Sequence, residues 1–198
     1  MGLKPDHDLL EKYNWRNLKQ VCVKGVVFPF KKFTESDSIL GPEMKSTGET
    51  MGRASTYSEA LVKAFVSANL TLPSEGEVFL SLRDKDKKPL LPYLRKISSM
   101  GYKFSATKGT AEYLKQEGFS CLTLNKVHEG RPHCVDRIRS GLVQFVINTT
   151  AGRHAIEASF NIRRACTDYS IPCITESDAA EALLLALQKM KEQKIEVS

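Results

Sequence analysis

Two short runs concentrate the side chains that could do chemistry: Asn125-Lys126-Val127-His128-Glu129-Gly130-Arg131-Pro132-His133 and, after an apolar stretch, Asn148-Thr149-Thr150-Ala151-Gly152-Arg153. Each follows a run of strand type, and each supplies cations, amides and hydroxyls. In a sheet protein, loops in that position form a pocket, and donors of these kinds suit an anionic ligand such as a nucleoside monophosphate. The same residue types recur at other turns: Ser81 with Asp84 and Lys87, Thr107 with Lys108, Gly109 and Thr110, and Thr175.

Other chemistries find less support. His128 and His133 stand five apart beside Glu129, but that spacing does not share one helical face and no third ligand follows, so no metal is expected. No Gly-x-Ser-x-Gly elbow is present to suggest a serine hydrolase. The net charge of +6 comes from dispersed lysines that alternate with acids, as in Arg83-Asp84-Lys85-Asp86-Lys87-Lys88. Without a basic stripe interleaved with aromatics, that is a solvated surface and not a nucleic-acid interface.

The polar turns need elements to position them. From Gly76 onward, apolar runs of strand length alternate with helical stripes. The pattern predicts strands at 77–82, 102–106, 119–124, 142–147 and 171–174. It predicts helices at 89–100, 110–117, 135–140, about 154–169 and 178 to about 192. Five strand–helix units in that order call for an α/β fold with a doubly wound, five-stranded parallel sheet. Ligands in such sheets bind outside the carboxyl ends of the strands, where helix N-termini add N–H donors and partial positive charge.

Bulk properties set the remaining bounds. The 198 residues, 41% apolar, suffice for one full domain with an appended piece. No apolar run reaches the ~18 residues of a membrane span and no leader is visible, so the expected compartment is the cytoplasm and no membrane partner is expected. The five cysteines, Cys22, Cys121, Cys134, Cys166 and Cys173, form no CxxC pair and read as reduced and structural. A polar breaker at Pro73-Ser74-Glu75-Gly76 divides an N-terminal α+β extension, 1–73, from the strand–helix series, 74–198. Truncation at Pro73 is expected to leave the better-behaved domain.

Particular stretches carry a family resemblance. Ala106-Thr107-Lys108-Gly109-Thr110, Asn125 to His133 with Asp136-Arg137-Ile138, Ile147 to Arg153, and Ile162-Arg163-Arg164 resemble the C-terminal allosteric domain of the carbamoyl phosphate synthetase large subunit, a domain of methylglyoxal synthase-like fold. Val26 to Phe33 and Leu40 to Gly52 resemble the closing strand and loop of that subunit's second ATP-grasp unit. The helix from Thr56 to Ala68, with Glu59 three residues after Thr56, resembles the link between the two. The expected division is therefore an ATP-grasp tail with linker helix, 1–73, and an effector domain, 74–198.

The resemblance implies a regulatory segment without catalysis of its own, binding UMP as inhibitor and IMP as activator at one site. Carried over residue by residue, Lys87, Thr107, Thr110 and Lys126 grip phosphate and ribose, with Asn148, Thr149 and Thr150 lining the same crevice beside Ser81, Gly109 and Asn125. Thr175 matches an ornithine contact, although Cys173 stands where the relative has an aromatic and Glu176-Ser177-Asp178 lacks glycines. No cofactor is expected in the segment; ATP and Mg belong to the complete enzyme, where residues upstream of Met1 would hold them. Glu43 and Glu49 read as structural or interface residues. Expected partners are the rest of the large subunit and the glutaminase small subunit, and a homo-oligomer is compatible with this picture. The alternative is a phosphate-lyase of the methylglyoxal synthase type. That chemistry uses an aspartate in a Gly-Gly-Asp turn, which here reads Glu129-Gly130-Arg131-Pro132.

Overall fold

The computed structural model describes residues 19–27, 48–70, 72–149, 157 and 159–193. Expectations that fall on Glu43, Thr150, His154, and the 28–47 and 151–156 stretches lie outside the described residues.

The first described elements form a two-stranded antiparallel ribbon of β1 (Val21–Val27) and β2 (Gly48–Ala54), with Val21 opposite Ala54 and Val27 opposite Gly48. Burial alternates along both strands, as the two-residue period of a sheet with one solvated face requires. The inner face lies on α1 (Tyr57–Ser67), capped by Thr56, whose hydroxyl accepts from the Glu59 N–H at 3.4 Å. Glu49 stands on the outer face in an exposed pair with Lys24, 2.8 Å apart.

Five strands then form one all-parallel sheet: β3 (Glu77–Ser81), β4 (Lys103–Thr107), β5 (Cys121–Leu124), β6 (Val143–Asn148) and β7 (Cys173–Ile174), in the order β5-β4-β3-β6-β7. The chain starts in the middle, builds outward through β4 and β5, then returns to β3's other side. Between and after the strands run α2 (Asp84–Ser99), α3 (Lys108–Gln116), α4 (Cys134–Arg139), α5 (Phe160–Asp168) and α6 (Ser177–Gln193).

Alternating strand side chains build two apolar layers. Val78, Leu80, Phe104, Ala106, Phe145 and Ile147 meet α2, α3 and α6 on one face, while Phe79, Val143 and Val146 meet α4 and α5 on the other. Near-continuous burial of β3 and β6 is what a parallel sheet covered on both faces demands.

One expectation needs correction. The helix placed at 89–100 begins at Asp84, with Pro89 and Pro92 inside it. The apolar stripe that marks the helix begins at Leu90, hence the later expected start. Buried Leu90, Leu94 and Ile97 hold the helix to the sheet despite both prolines, each of which removes a backbone hydrogen bond. Packing contacts cross the expected division at Pro73. Val62 of α1 is fully buried in the same cluster as α6, and the Tyr102 hydroxyl donates to the Pro73 carbonyl at 2.6 Å. Truncation there would strip a cover from α6.

Among the described cysteines, Cys121, Cys134 and Cys166 are buried and none is in a disulfide. Burial pushes the Cys121 thiol up to about 11 and the Cys134 thiol up to about 12, so both stay protonated at neutral pH.

Candidate functional site

The sheet order reverses between β3 and β6, and the loops leaving these two central strands part there. This is where an open parallel sheet leaves a crevice. A cavity of about 330 Å³ occupies the position. Its walls come from the ends of β3, β4, β5 and β6, the first turns of α2 and α3, and α5.

Of the ten residues that the resemblance assigns to the nucleotide site, eight line it: Ser81, Lys87, Thr107, Gly109, Thr110, Asn125, Lys126 and Thr149. The Thr110 hydroxyl accepts from the Leu82 N–H at 3.0 Å and lies 3.5 Å from the Thr107 hydroxyl, tying the β3 turn to α3. Thr107 is the N-cap residue of α3, but its side chain makes no capping bond. The helix N-terminus, with Gly109 and Thr110 on the wall, therefore faces the cavity with first-turn N–H groups that lack intrahelical partners.

Lys87 reaches across from α2. Its ammonium donates to the Gly109 carbonyl at 2.9 Å and to Asp84 Oδ1 at 2.6 Å, and stands 5.8 Å from the centre of the Tyr113 ring. Lys126 opens the opposite wall at the end of β5, its backbone N–H donating to Glu129 at 2.8 Å. Asn125 is exposed on the same edge, and its N–H donates to the Pro132 carbonyl at 3.2 Å. Lys87 and Lys126 thus both line a space rimmed by hydroxyl and N–H donors. Asp84 is the one carboxylate among the described lining residues, and it is tied to Lys87.

Three residues are placed differently. Asn148 does not reach the wall: it is fully buried at the end of β6, and neither its amide nitrogen nor its oxygen has a hydrogen-bond partner. Thr149 lines the cavity, yet its hydroxyl accepts from the Arg83 N–H at 3.0 Å and its N–H donates to the Ser81 carbonyl at 2.9 Å. That threonine pins the β6 turn to the β3 turn. Thr175 follows β7 half-buried, outside the crevice lining.

Further lining residues escaped the sequence reading. Arg83 sits in the β3 turn; its Nε donates to the buried Asp86 carboxylate at 2.5 Å and its guanidinium lies 3.8 Å from Glu176. Burial raises Asp86's carboxyl, but hydrogen bonds from Arg83 and Thr149 and the charge of Arg83 outweigh it and hold the group below its ordinary value. Arg83's place at a strand's carboxyl end was a usable signal. Ser159 and Ile162 reach the wall from α5, whose start had no sharp signal in the sequence.

A larger depression of about 740 Å³ lies between α4 and α5, lined by Arg131, Arg139 and Arg164 with Asp168. Arg164 and Asp168 pair there, and Arg131 lies 3.4 Å from Asp136. It gathers no strand ends, so the smaller crevice is the stronger candidate. His133 accepts from the Asp136 N–H at 3.3 Å as an α4 cap. Among the described residues, no group of three His, Cys, Asp or Glu could hold a metal, and no helix is long and apolar enough to cross a membrane.

A crevice of this kind on a doubly wound parallel sheet defines a class, and residues 89–175 match the family of MGS-like domains. The relatives are more particular. The chain is 46% identical over 187 residues, 94% of its length, to the carbamoyl phosphate synthase large chain of Rhizobium meliloti (strain 1021). It is 42% identical over 178 residues to the carbamoyl phosphate synthase large chain, C-terminal section, of Aquifex aeolicus (strain VF5). By sequence the chain is homologous to the C-terminal part of carbamoyl phosphate synthase large chains, and its residues 89–175 match the MGS-like domain family. It spans 16% of the Rhizobium protein and 33% of the Aquifex section. Among solved structures, methylglyoxal synthase from Elizabethkingia anophelis NUHP1 covers 57% of this chain and 79% of its own at 17% identity, with a TM-score of 0.44.

Proposed function

We propose that the chain is the effector-binding region of a carbamoyl phosphate synthetase large subunit, and that its crevice takes UMP as inhibitor and IMP as activator at one shared site. What supports this is the meeting of Lys87, Lys126, Thr107, Thr110, Ser81 and Asn125 in one crevice, in a chain homologous to that subunit. Ammonium groups and N–H donors match a phosphate dianion, and the hydroxyls and the Asn125 amide match ribose and base.

The segment binds and does not catalyse. ATP, Mg and the glutaminase small subunit act in the complete enzyme, which makes carbamoyl phosphate for pyrimidine and arginine synthesis. Because Thr175 lies outside the crevice, an ornithine contact there would be a second site.

Calorimetric titration with UMP and with IMP, repeated on Lys126→Ala, tests the proposal. Saturable binding is expected, weakened by about 1.5–3 kcal/mol in the variant, the scale of a charge-assisted hydrogen bond. Absence of binding to folded protein, or equal affinity in the variant, contradicts it.

A further inference from the structure

We infer that Asp84 is a built-in competitor for the phosphate, setting the affinity of the crevice by occupying the lysine that an anion must use. The inference rests on the crevice being the anion site. Lys87's side chain is only 12% exposed, whereas that of Asp84 is 96% exposed, and their atoms lie 2.6 Å apart. A partly buried ammonium is therefore neutralised by a carboxylate that has almost no other attachment.

Lys87 is fixed independently of that pair. The Gly109 carbonyl accepts a second of its protons at 2.9 Å, and the Tyr113 ring lies beside it. Its position does not require Asp84. An arriving phosphate must either displace the carboxylate or bind beside it, and like charges at such a distance repel. Both routes weaken binding of the anion. Displacement costs little in structure, because the Asp84 side chain swings into water while Lys87 keeps its place. The arrangement holds phosphate affinity below what the two lysines alone would give, as a reversible regulatory site needs.

Asp84→Asn and Asp84→Ser remove the charge; serine keeps a short polar group in the first helical turn. Each is titrated calorimetrically with UMP, with inorganic phosphate and with uridine. Glu59→Gln, also a first-turn acid but on α1, corrects for net charge alone. Both Asp84 variants should bind UMP and phosphate about fivefold tighter than wild type, the upper scale of an exposed charge pair, with uridine unchanged. Binding by the variants where wild type binds nothing would support the inference equally. Unchanged or weaker phosphate binding in both, with wild type still binding UMP, overturns it and leaves the effector site standing. If neither wild type nor variant binds any anion, both the competitor and the anion site are wrong.

Discussion

At the scale of single residues, the crevice depends on groups that touch no ligand. Asp86 is 4% exposed and holds Arg83 and Thr149, the residues that set the β3 and β6 turns on either side of the sheet's reversal. Replacing it by asparagine removes the charged acceptor of the Arg83 Nε–H and should cost about 1–3 kcal/mol of stability at neutral pH. The pH dependence follows from the lowered carboxyl. A carboxyl depressed in the folded state contributes stability above its unfolded value near 3.9 and loses it as pH falls through the lower folded value. Denaturation of wild type and Asp86→Asn should therefore show a gap at pH 7 that closes below about pH 4; a constant gap would mean that Asp86 is not ionised in the fold. Much of the site at this scale was legible, because polar residues at strand ends have few other reasons to cluster. Asn148 shows the limit: residue type places it at the turn, but only the packing shows its amide buried without a partner.

Elements were legible where hydrophobic period was strong and boundaries were not. β3, β4, β5 and β6 fall within about two residues of their expected positions, since buried parallel strands read as apolar runs. The start of α2 did not, because the apolar stripe that marks the helix begins only at Leu90, while its polar first turns from Asp84 carry no such period. The most restrictive packing in the N-terminal part is between β2 and α1. A Cβ on Gly52 would stand 1.8 Å from the Ala60 carbonyl oxygen and 2.5 Å from the Ala64 nitrogen, both backbone atoms. The strand can approach the helix only because position 52 has no side chain and Ala60 and Ala64 are small. Gly52→Ala should destabilise by at least about 2 kcal/mol, measured by chemical denaturation, as overpacking against backbone does. A variant as stable as wild type would show that the ribbon is not seated on α1.

For the whole molecule, the sheet order is what turns dispersed residues into a site. Ser81 and Thr149 are far apart in the chain but meet because β3 and β6 are neighbours at the reversal, while β4 and β5 carry Thr107 and Lys126 to the same edge. Strand alternation predicted that edge; it did not predict the shared core by which α1 covers α6, since Val62 carries no mark of its partner. The effector reading turns on there being one crevice for both nucleotides, and competition titration measures that directly. IMP is titrated calorimetrically into the full chain at increasing fixed concentrations of UMP. A single shared site predicts that the apparent affinity for IMP falls in proportion to the UMP present. Undiminished IMP binding at saturating UMP would place the two nucleotides apart and contradict the assignment of both to this crevice.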